Sequence, residues 1–519
     1  GCEEQLSEVA AIVGNSDEPT FENTIVAMEK SGGILTRMLM VFYNKSSSDT
    51  NDALDAIEAE IAPKLAAHSD SIRLNPLLWT RIKKVHSNKS SLSDEDSWLT
   101  EKYYRDFIHA GADLDENARK RVMEINEELS ALETKFSQDL LADTNDLAVF
   151  VDSIDDLDGL SDGEIAAAKS AAEARGVNDK WMIGMVNFTG NPVLASLTNR
   201  ALREEIMKAS LVKSNRDNDK DTKATLKKMV GLRAERAKLF GFKNHAEYVI
   251  SAQTAGNASN VHAMLRQVAA PAVRNARAEG ADIQKSIGTA FELESWDWDF
   301  YTEKVRLAKY DLDTSKMRPY FELERVLHNG VFFAATKLFG ITFKERRDLV
   351  TYHPEARAFE VFNEDGSKLA LFIGDFYTRD SKRGGAWMNN LVDQNFLLGQ
   401  LPVVVNNLNI PKPPAGEPTL LTYDETTTLF HEFGHALHGM LSAVKYPRVS
   451  GTNVERDFVE FPSQVNEMWI LWPEVVKNYA RHYQSGEVLP QAWIDKLHES
   501  STFNEGHATT SYLAAAILD

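Results

Sequence analysis

The stretch His431-Glu432-Phe433-Gly434-His435 is the strongest structural signal in this 519-residue sequence. Two histidines four positions apart lie on one face of an α-helix, one turn from each other, so both imidazoles can bind the same metal ion. Glu432 follows the first histidine and can reach a water molecule at that ion. The pattern therefore predicts a helix that carries two metal ligands and a carboxylate able to move a proton.

The flanking residues favour a helix with one polar and one apolar face. The apolar positions are Leu429, Phe430, Phe433, Ala436, Leu437 and Met440. Asp424 and the threonines at 426–428 offer side-chain oxygens that could cap the first turn. The alternative interpretation is a buried helix whose two histidines are satisfied by hydrogen bonds alone.

The composition excludes several classes of protein. A formal charge of −20 argues against nucleic acid and anionic membranes as partners, since both attract basic surfaces. The sequence has no run of 18 apolar residues that would predict a membrane span. The single cysteine, Cys2, excludes an internal disulfide framework and a cysteine-based zinc cage. A chain of this length is expected to form at least two lobes.

Helical periodicity dominates the sequence up to about residue 345. The clearest apolar spacing is formed by Ile125, Leu129, Leu132, Phe136 and Leu140. Ser161 and Glu164 form a capping-box signature before an alanine-rich helix. A further helix is predicted over residues 223–240, and its apolar side is predicted to consist of Leu226, Val230, Ala234 and Ala237.

A small β-sheet is predicted just before the histidine-bearing helix. Residues 358–362 and 369–377 have strand composition and are separated by a turn at 363–366, and residues 403–405 form another short strand. An edge strand beside the helix could pair with an extended peptide by β-augmentation. The simpler alternative is that the hairpin only closes a hydrophobic core.

A third metal ligand must come from elsewhere in the chain. His438 shares a face with His431, but residues seven apart on a helix are separated by about 10 Å, too far to bind one ion. The remaining candidates are Glu455, Asp457, Glu460, Glu467 and Glu474. Glu460 has the most apolar neighbours, where a carboxylate is costly to bury without a metal or cation. The other interpretation is that Glu460 pairs with Arg456.

The sequence resembles the thimet-oligopeptidase-type zinc peptidases of family M3. The resemblance is most specific over residues 429–440 and 450–469, and it extends to the stretches at 19–30, 379–390 and 478–490. Within the family, the sequence is most similar to the bacterial peptidyl-dipeptidases. In this family the glutamate at the position of Glu460 is the third zinc ligand.

The resemblance implies a mainly α, two-lobed zinc peptidase with a deep substrate channel and a small β-sheet near the histidine-bearing helix. It implies one zinc ion held by His431, His435 and Glu460, with Glu432 as the general base. Residues 1–250 are expected to form a helical wall or lid of the channel, and residues 251–519 the catalytic region. Short peptides are the expected substrates, and C-terminal dipeptides are the expected products.

Two alternatives remain open at this point. An oligopeptidase that cuts inside short peptides would share every metal ligand, and a non-catalytic helical scaffold would share the helices. A monomer without nucleic-acid or membrane partners is expected, in the cytoplasm or alternatively the periplasm. Family members also extend beyond both ends of this sequence, with a C-terminal glycine- and tyrosine-rich tract that contacts substrate. We therefore expect residues 1–519 alone to hydrolyse peptides slowly.

Overall fold

Helices form most of the secondary structure in the computed structural model, which describes residues 1–186 and 191–518. The helices are α1 (Cys2–Gly14), α2 (Ala27–Lys30), α3 (Gly33–Ser48), α4 (Asp52–Arg73), α5 (Pro76–Ser87), α6 (Asp94–Ala110), α7 (Glu116–Asp146), α8 (Asp162–Ala174), α9 (Arg200–Leu211), α10 (Lys223–Leu239), α11 (His245–Ile250), α12 (Ala258–Ile287), α13 (Trp298–Tyr310), α14 (Leu323–Arg325), α15 (Phe333–Phe339), α16 (Tyr423–Met440), α17 (Glu460–Glu467), α18 (Pro473–Tyr479), α19 (Gln491–Glu499) and α20 (Glu505–Leu518). Two π-helical segments, Phe21–Val26 and Val326–Phe332, lead into α2 and α15. The predicted mainly α fold is confirmed.

The capping box predicted for α8 is present. The Ser161 hydroxyl oxygen accepts the Glu164 N–H at 3.3 Å, and the Glu164 carboxylate accepts the Ser161 N–H at 2.9 Å. These two bonds satisfy backbone donors that a helix start leaves free. A four-residue pattern was therefore sufficient to locate this helix start.

The predicted apolar side of α10 is correct at Ala237, which is buried, and wrong at Leu226 and Val230. Leu226 and Val230 are 48% and 58% exposed, whereas Met229 and Leu232 are buried. The buried pair packs against the apolar stripe of α7, which was predicted correctly. Because α10 has apolar residues on more than one side, its periodicity could not indicate which side α7 would cover.

The sheet contains more strands than the sequence predicts. A two-stranded antiparallel ribbon pairs β1 (Val149–Val151) with β2 (Trp181–Ile183), and a five-stranded sheet contains β3 (Thr342–Glu345), β4 (Arg357–Phe362), β5 (Lys368–Tyr377), β6 (Trp387–Val392) and β7 (Val403–Ile410). The order of the larger sheet is β3-β4-β5-β7-β6, and only β5 and β7 are parallel neighbours. The predicted strands β4, β5 and β7 are confirmed, but β3 and β6 were missed. β6 contains two asparagines, which have low strand propensity. Its own sequence therefore does not indicate a strand, and its hydrogen-bonded pairing with β7 defines it.

Aromatic residues fix α16 against this sheet. Phe433 of α16 contacts Phe372 of β5 and Phe332, with ring centroids 5.2 and 5.6 Å apart. Farther along α16, Gly439 lies against the edge strand β6. A Cβ added at Gly439 would lie 2.7 Å from the terminal carbon of Met388, which belongs to β6. The helix therefore lies beside β6, an edge strand that was not predicted.

The segment after α16 reaches the N-terminal helices. The Tyr446 hydroxyl donates to Asp96 at 2.5 Å, and Arg448 donates to Asp106 at 2.6 Å. Tyr446 is also part of a buried cluster formed mainly by residues between positions 9 and 112. The division into residues 1–250 and 251–519, parts of which lie outside the described residues, stays a prediction. None of the described helices combines the length and apolarity needed to cross a bilayer.

Candidate metal centre

The helix that carries the two histidines begins upstream of the predicted caps, with Thr422 as its N-cap. The Thr422 hydroxyl accepts the Glu425 N–H at 3.0 Å, and the Glu425 carboxylate accepts the Thr422 N–H at 2.7 Å. The predicted caps, Asp424 and the threonines at 426–428, are therefore wrong. Asp424 lies inside the first turn, and the three threonine hydroxyls donate to carbonyls four residues back. Thr422, two residues before Asp424, is the cap because it is followed three residues later by a glutamate that completes the capping box.

The structure brings the two histidines together with Glu460. Glu460 Oε2 lies 3.1 Å from His431 Nε2 and 3.0 Å from His435 Nε2. One donor atom from each of the three residues lies within 4.8 Å of the other two. Among the described residues, this is the single group of three or more such side chains that could hold a metal ion.

These donor atoms fit a tetrahedral metal ion. Two atoms that each lie about 2.1 Å from one ion at a tetrahedral angle are about 3.4 Å apart. The two distances to Glu460 Oε2 are within a few tenths of an ångström of that value. Two imidazoles and one carboxylate are also the donor set of several catalytic zinc sites, which leave a fourth position open. His431, His435 and Glu460 therefore form a candidate metal centre.

Glu467 orients His431 and was missed in that role. Its carboxylate lies 2.7 Å from His431 Nδ1, the ring nitrogen that faces away from Glu460. A proton on Nδ1 leaves Nε2 as the lone-pair donor, which is the arrangement that a metal-bound histidine needs. Burial opposes a proton on His431, but the Glu467 hydrogen bond and nearby carboxylates outweigh burial and raise its pKa. Glu467 lies seven residues after Glu460 on α17, so helical spacing places both carboxylates on the same face of that helix. This spacing could have identified Glu467 from the sequence.

Glu432 is buried beside the two histidines. Its side chain is only 5% exposed, and its Oε2 atom has no hydrogen-bond partner among the described residues. Burial raises the pKa of Glu432 to about 7, with the charge of Glu460 adding to the effect and that of His431 opposing it. A carboxylate with this pKa can both accept and release a proton near neutral pH.

The prediction that Glu460 is buried among apolar neighbours is wrong. Its side chain is 54% exposed, and its apolar neighbours Phe458 and Phe461 are 44% and 63% exposed. Arg456 forms no ion pair with it in the described part of the chain. The position of Glu460 at the start of α17, opposite both histidines, brings it into the group. A solvent-accessible carboxylate is also less costly to ionise than a buried one.

His438 stays outside the group, in agreement with the helical spacing argument. It lines an apolar cavity of about 550 Å³ that residues of both α16 and α17 border. Burial lowers its pKa, and its Nδ1 atom has no hydrogen-bond partner within the described ranges. Its location is consistent with packing and does not place it beside Glu460.

Gly434 allows α17 to approach the metal-binding face of α16. A Cβ at this position would lie 2.6 Å from Ser463 Cα and 2.9 Å from Asn466 Cβ. The two helices are also joined by Asn466, whose side-chain amide donates to the Phe430 carbonyl at 2.6 Å. The lack of a side chain at Gly434 therefore lets α17 come close enough for Glu460 and Glu467 to contact His431.

We expect Gly434→Ala to destabilise the protein by about 1–3 kcal/mol, because the added methyl group meets backbone and cannot be accommodated by a side-chain rotation. Gly231→Ala is the matched control, since Gly231 lies inside α10 and has no atom within 4 Å of an added Cβ. There the substitution should stabilise the helix by about 0.5–1 kcal/mol. Urea denaturation of both variants measures the two effects. Equal midpoints for the two variants would contradict the close-approach argument.

Asp457 ties the segment before Glu460 to a distant part of the chain. Its two carboxylate oxygens accept the backbone N–H groups of Thr254 and Ala255 at 3.0 and 2.9 Å. Its own N–H donates to the Gln253 side chain at 3.3 Å. The segment that leads into α17 is therefore held from both sides, by α16 and by residues 253–255.

Comparisons with known proteins agree with this fold. The profile of peptidase family M3 matches residues 193–519. The dipeptidyl carboxypeptidase of Escherichia coli K12 is 42% identical over all of this chain and 77% of its own length. Oligopeptidase A of the same organism is 30% identical over 96% of this chain and 74% of its own length. The chain belongs to peptidase family M3 and is a peptidase. The resemblance inferred from the motifs is confirmed.

Solved structures show the same fold at low sequence identity. The structure titled PZ peptidase A with inhibitor 2 superposes with a TM-score of 0.53 at 14% identity, covering 97% of this chain and 71% of that one. A putative oligoendopeptidase F from Bacillus anthracis superposes with a TM-score of 0.51 at 14% identity, covering 98% and 82%. These similarities concern the fold alone.

Proposed function

We propose that this chain is a zinc-dependent peptidyl-dipeptidase that hydrolyses short peptides and releases dipeptides from their C-termini. His431, His435 and Glu460 would hold one zinc ion, and Glu432 would be the general base. The convergence of the three ligands beside a buried carboxylate carries the proposal. The similarity to a dipeptidyl carboxypeptidase supports the dipeptide specificity.

The side chains divide the chemistry among them. A bound zinc ion supplies Lewis acidity for the attack of water on a peptide carbonyl. Glu432 accepts the proton of that water and returns it to the leaving amine nitrogen, so the peptide bond breaks without releasing a free amide anion. Its Oε2 atom has no competing hydrogen bond within the described residues, so it is available for the transferred proton. Glu467 keeps the His431 ring in one orientation throughout.

The edge strand β6 is the proposed guide for the peptide backbone. It is the last strand of the five-stranded sheet and lies against α16 through Met388 and Gly439. An extended peptide that pairs with an edge strand is held by backbone hydrogen bonds, which do not depend on its sequence. This mode suits an enzyme that acts on short peptides of varied composition.

An oligopeptidase that cuts internally is the second candidate. The 30% identity to oligopeptidase A favours it, and the proposed zinc ligands would serve either reaction. The two reactions differ in one requirement, because release of a dipeptide needs a group that binds the terminal carboxylate at a fixed distance from the metal.

We expect a short unstructured peptide with a free C-terminus to lose successive dipeptides from that end. Amidation of the same peptide should lower kcat/KM by roughly tenfold to a hundredfold, because charge-assisted donors lose their ionic partner. Mass spectrometry of the products over time measures both peptides. Acetylation of the N-terminus is the matched control and should leave the rate unchanged. Cleavage of the acid and the amide at the same internal bond, at equal rates, would favour the oligopeptidase.

A further inference from the structure

A cavity of about 620 Å³ lies among the N-terminal helices, apart from the candidate metal centre. It is lined by α4, α6, α7 and α10, and it is closed on one side by residues 252–253 and 454–456. Its volume is in the range of small-molecule sites in proteins, which is about 300–1,000 Å³.

Five Lys and Arg side chains line this cavity, and four of them have no carboxylate within ion-pair distance among the described residues. Arg73, Arg105 and Arg456 form no hydrogen bond or ion pair through their side chains in the described part of the chain. Arg236 donates only to the Asn126 side chain, at 2.9 Å, and its Nε atom is buried without a partner. Lys102 is the remaining lining cation, and its nearest carboxylate is Asp106 at 3.9 Å. Such a concentration of unpaired cations is unexpected in a chain with a formal charge of −20.

Most of the carboxylates that line the cavity are already bound. Asp106 accepts from Arg448 at 2.6 Å, Glu133 accepts from Arg233 at 2.9 Å, and Asp70 accepts the Asn126 amide at 3.0 Å. Glu455 is the exception, since its carboxylate has no hydrogen bond among the described residues. Asp70 and Glu455 therefore lack a cationic hydrogen-bond partner among the described residues, because the Asn126 amide is neutral. Two such carboxylates against four guanidinium groups leave the cavity positive.

The arginines lie close enough together that their charges shift the pKa values of neighbouring groups in this cavity. Burial lowers the pKa of Arg73, and the neighbouring charge of Arg448 lowers it further. The carboxylates of Asp106 and Asp70 oppose this shift in pKa. Burial also lowers the pKa of His109, and the charges of Arg236 and Arg73 both add to that shift. Arg73, Arg105 and Arg456 are exposed at this cavity. Like charges that lie close together raise the free energy of the protein unless an anion neutralises them.

We propose that this cavity binds a carboxylate- or phosphate-bearing anion between Arg73, Arg105 and Arg456. Guanidinium groups suit this chemistry because their planar N–H groups match the oxygens of carboxylate and phosphate. The anion would lie against the segment that leads to the candidate metal ligand, since Arg456 precedes Glu460 by four residues and adjoins the anchored Asp457.

Two sources can supply this anion. One is a free small anion, and this possibility requires no assumption about the reaction. The other is the terminal carboxylate of a peptide, which rests on the proposed function because a peptidyl-dipeptidase needs a group that binds that carboxylate. The variants Arg73→Gln and Arg105→Gln test both sources. Arg266→Gln is the matched control, because Arg266 is exposed on α12 and has no ion pair among the described residues.

The first arm measures the affinity of the full chain for inorganic phosphate by isothermal titration calorimetry at low salt. We expect the unchanged chain and Arg266→Gln to bind phosphate equally, and the two cavity variants to bind it about tenfold to a hundredfold more weakly. Circular dichroism and the thermal midpoint of each variant verify that it is folded. A cavity variant that fails to fold is replaced by Arg456→Gln.

The second arm measures the binding of a peptide acid and its C-terminal amide in a Glu432→Gln background. Loss of the preference for the acid in the cavity variants would identify the peptide terminus as the source. Weaker phosphate binding with an unchanged preference would identify a free anion. If the cavity variants behave like Arg266→Gln in both arms, the proposal is wrong. Since the phosphate arm does not involve hydrolysis, it remains informative even if the proposed reaction is disproved.

Discussion

Glu432→Gln is expected to lose nearly all hydrolytic activity and to keep its zinc. Glutamine preserves the size of the side chain but cannot accept the proton of the attacking water. General acid–base catalysis contributes about 10²–10⁴ in rate, so kcat should fall within that range. The zinc content should remain, because Glu432 is proposed as a base and the ligand atoms belong to His431, His435 and Glu460. Metal analysis after dialysis and a peptide assay measure the two properties on one sample.

Asp424→Asn is the matched control for this substitution. Asp424 lies eight residues earlier on α16, outside the group of His431, His435 and Glu460, and the change removes the same charge without changing the shape of the side chain. We expect it to retain both zinc and activity. Near-normal hydrolysis by Glu432→Gln, or loss of its zinc, would show that the role assigned to this residue is wrong.

Glu460→Ala is expected to bind zinc at least a hundredfold more weakly. Structural zinc sites bind with about 10–16 kcal/mol, and an equal share for each of four ligands is roughly 3 kcal/mol. Removal of Glu460 would also leave His431 and His435 as the two remaining protein ligands of the group. Competition with a chromophoric chelator measures the dissociation constant of zinc directly, without relying on activity.

Two neighbouring glutamates give a graded series of controls. Glu467→Ala should weaken zinc binding by about 10–100-fold, because Glu467 orients His431 without being placed as a ligand. Glu455→Ala should have little effect, since Glu455 faces the separate cavity among the N-terminal helices. We expect zinc affinity to fall most for the Glu460 variant, less for the Glu467 variant and least for the Glu455 variant. A larger loss for Glu467 than for Glu460 would exchange the roles of these two residues.

Local sequence patterns predicted the elements whose determinants lie within a few residues. The capping box of α8 and the apolar stripe of α7 depend only on spacing along a single helix, and both are present. The cap of α16 was misplaced because several hydroxyl and carboxyl groups occur near its start, and only hydrogen-bond geometry distinguishes among them. The strand β6 was missed because its own strand propensity is low, and its hydrogen-bonded pairing with β7 defines it.

The sequence by itself determined the class of the fold, the helix that carries His431 and His435, and the proximity of Glu432, because helical geometry places residues four apart on one face. The family resemblance in the sequence implied Glu460 as the third member of the group, but only the tertiary structure shows it beside both histidines and shows that Glu467 orients His431. The segment between α16 and α17 has no periodicity that specifies where α17 lies. That position depends on the close approach at Gly434 and on the anchoring of Asp457 by residues 253–255. Contacts between residues about two hundred positions apart are a property of the folded chain and not of any local pattern.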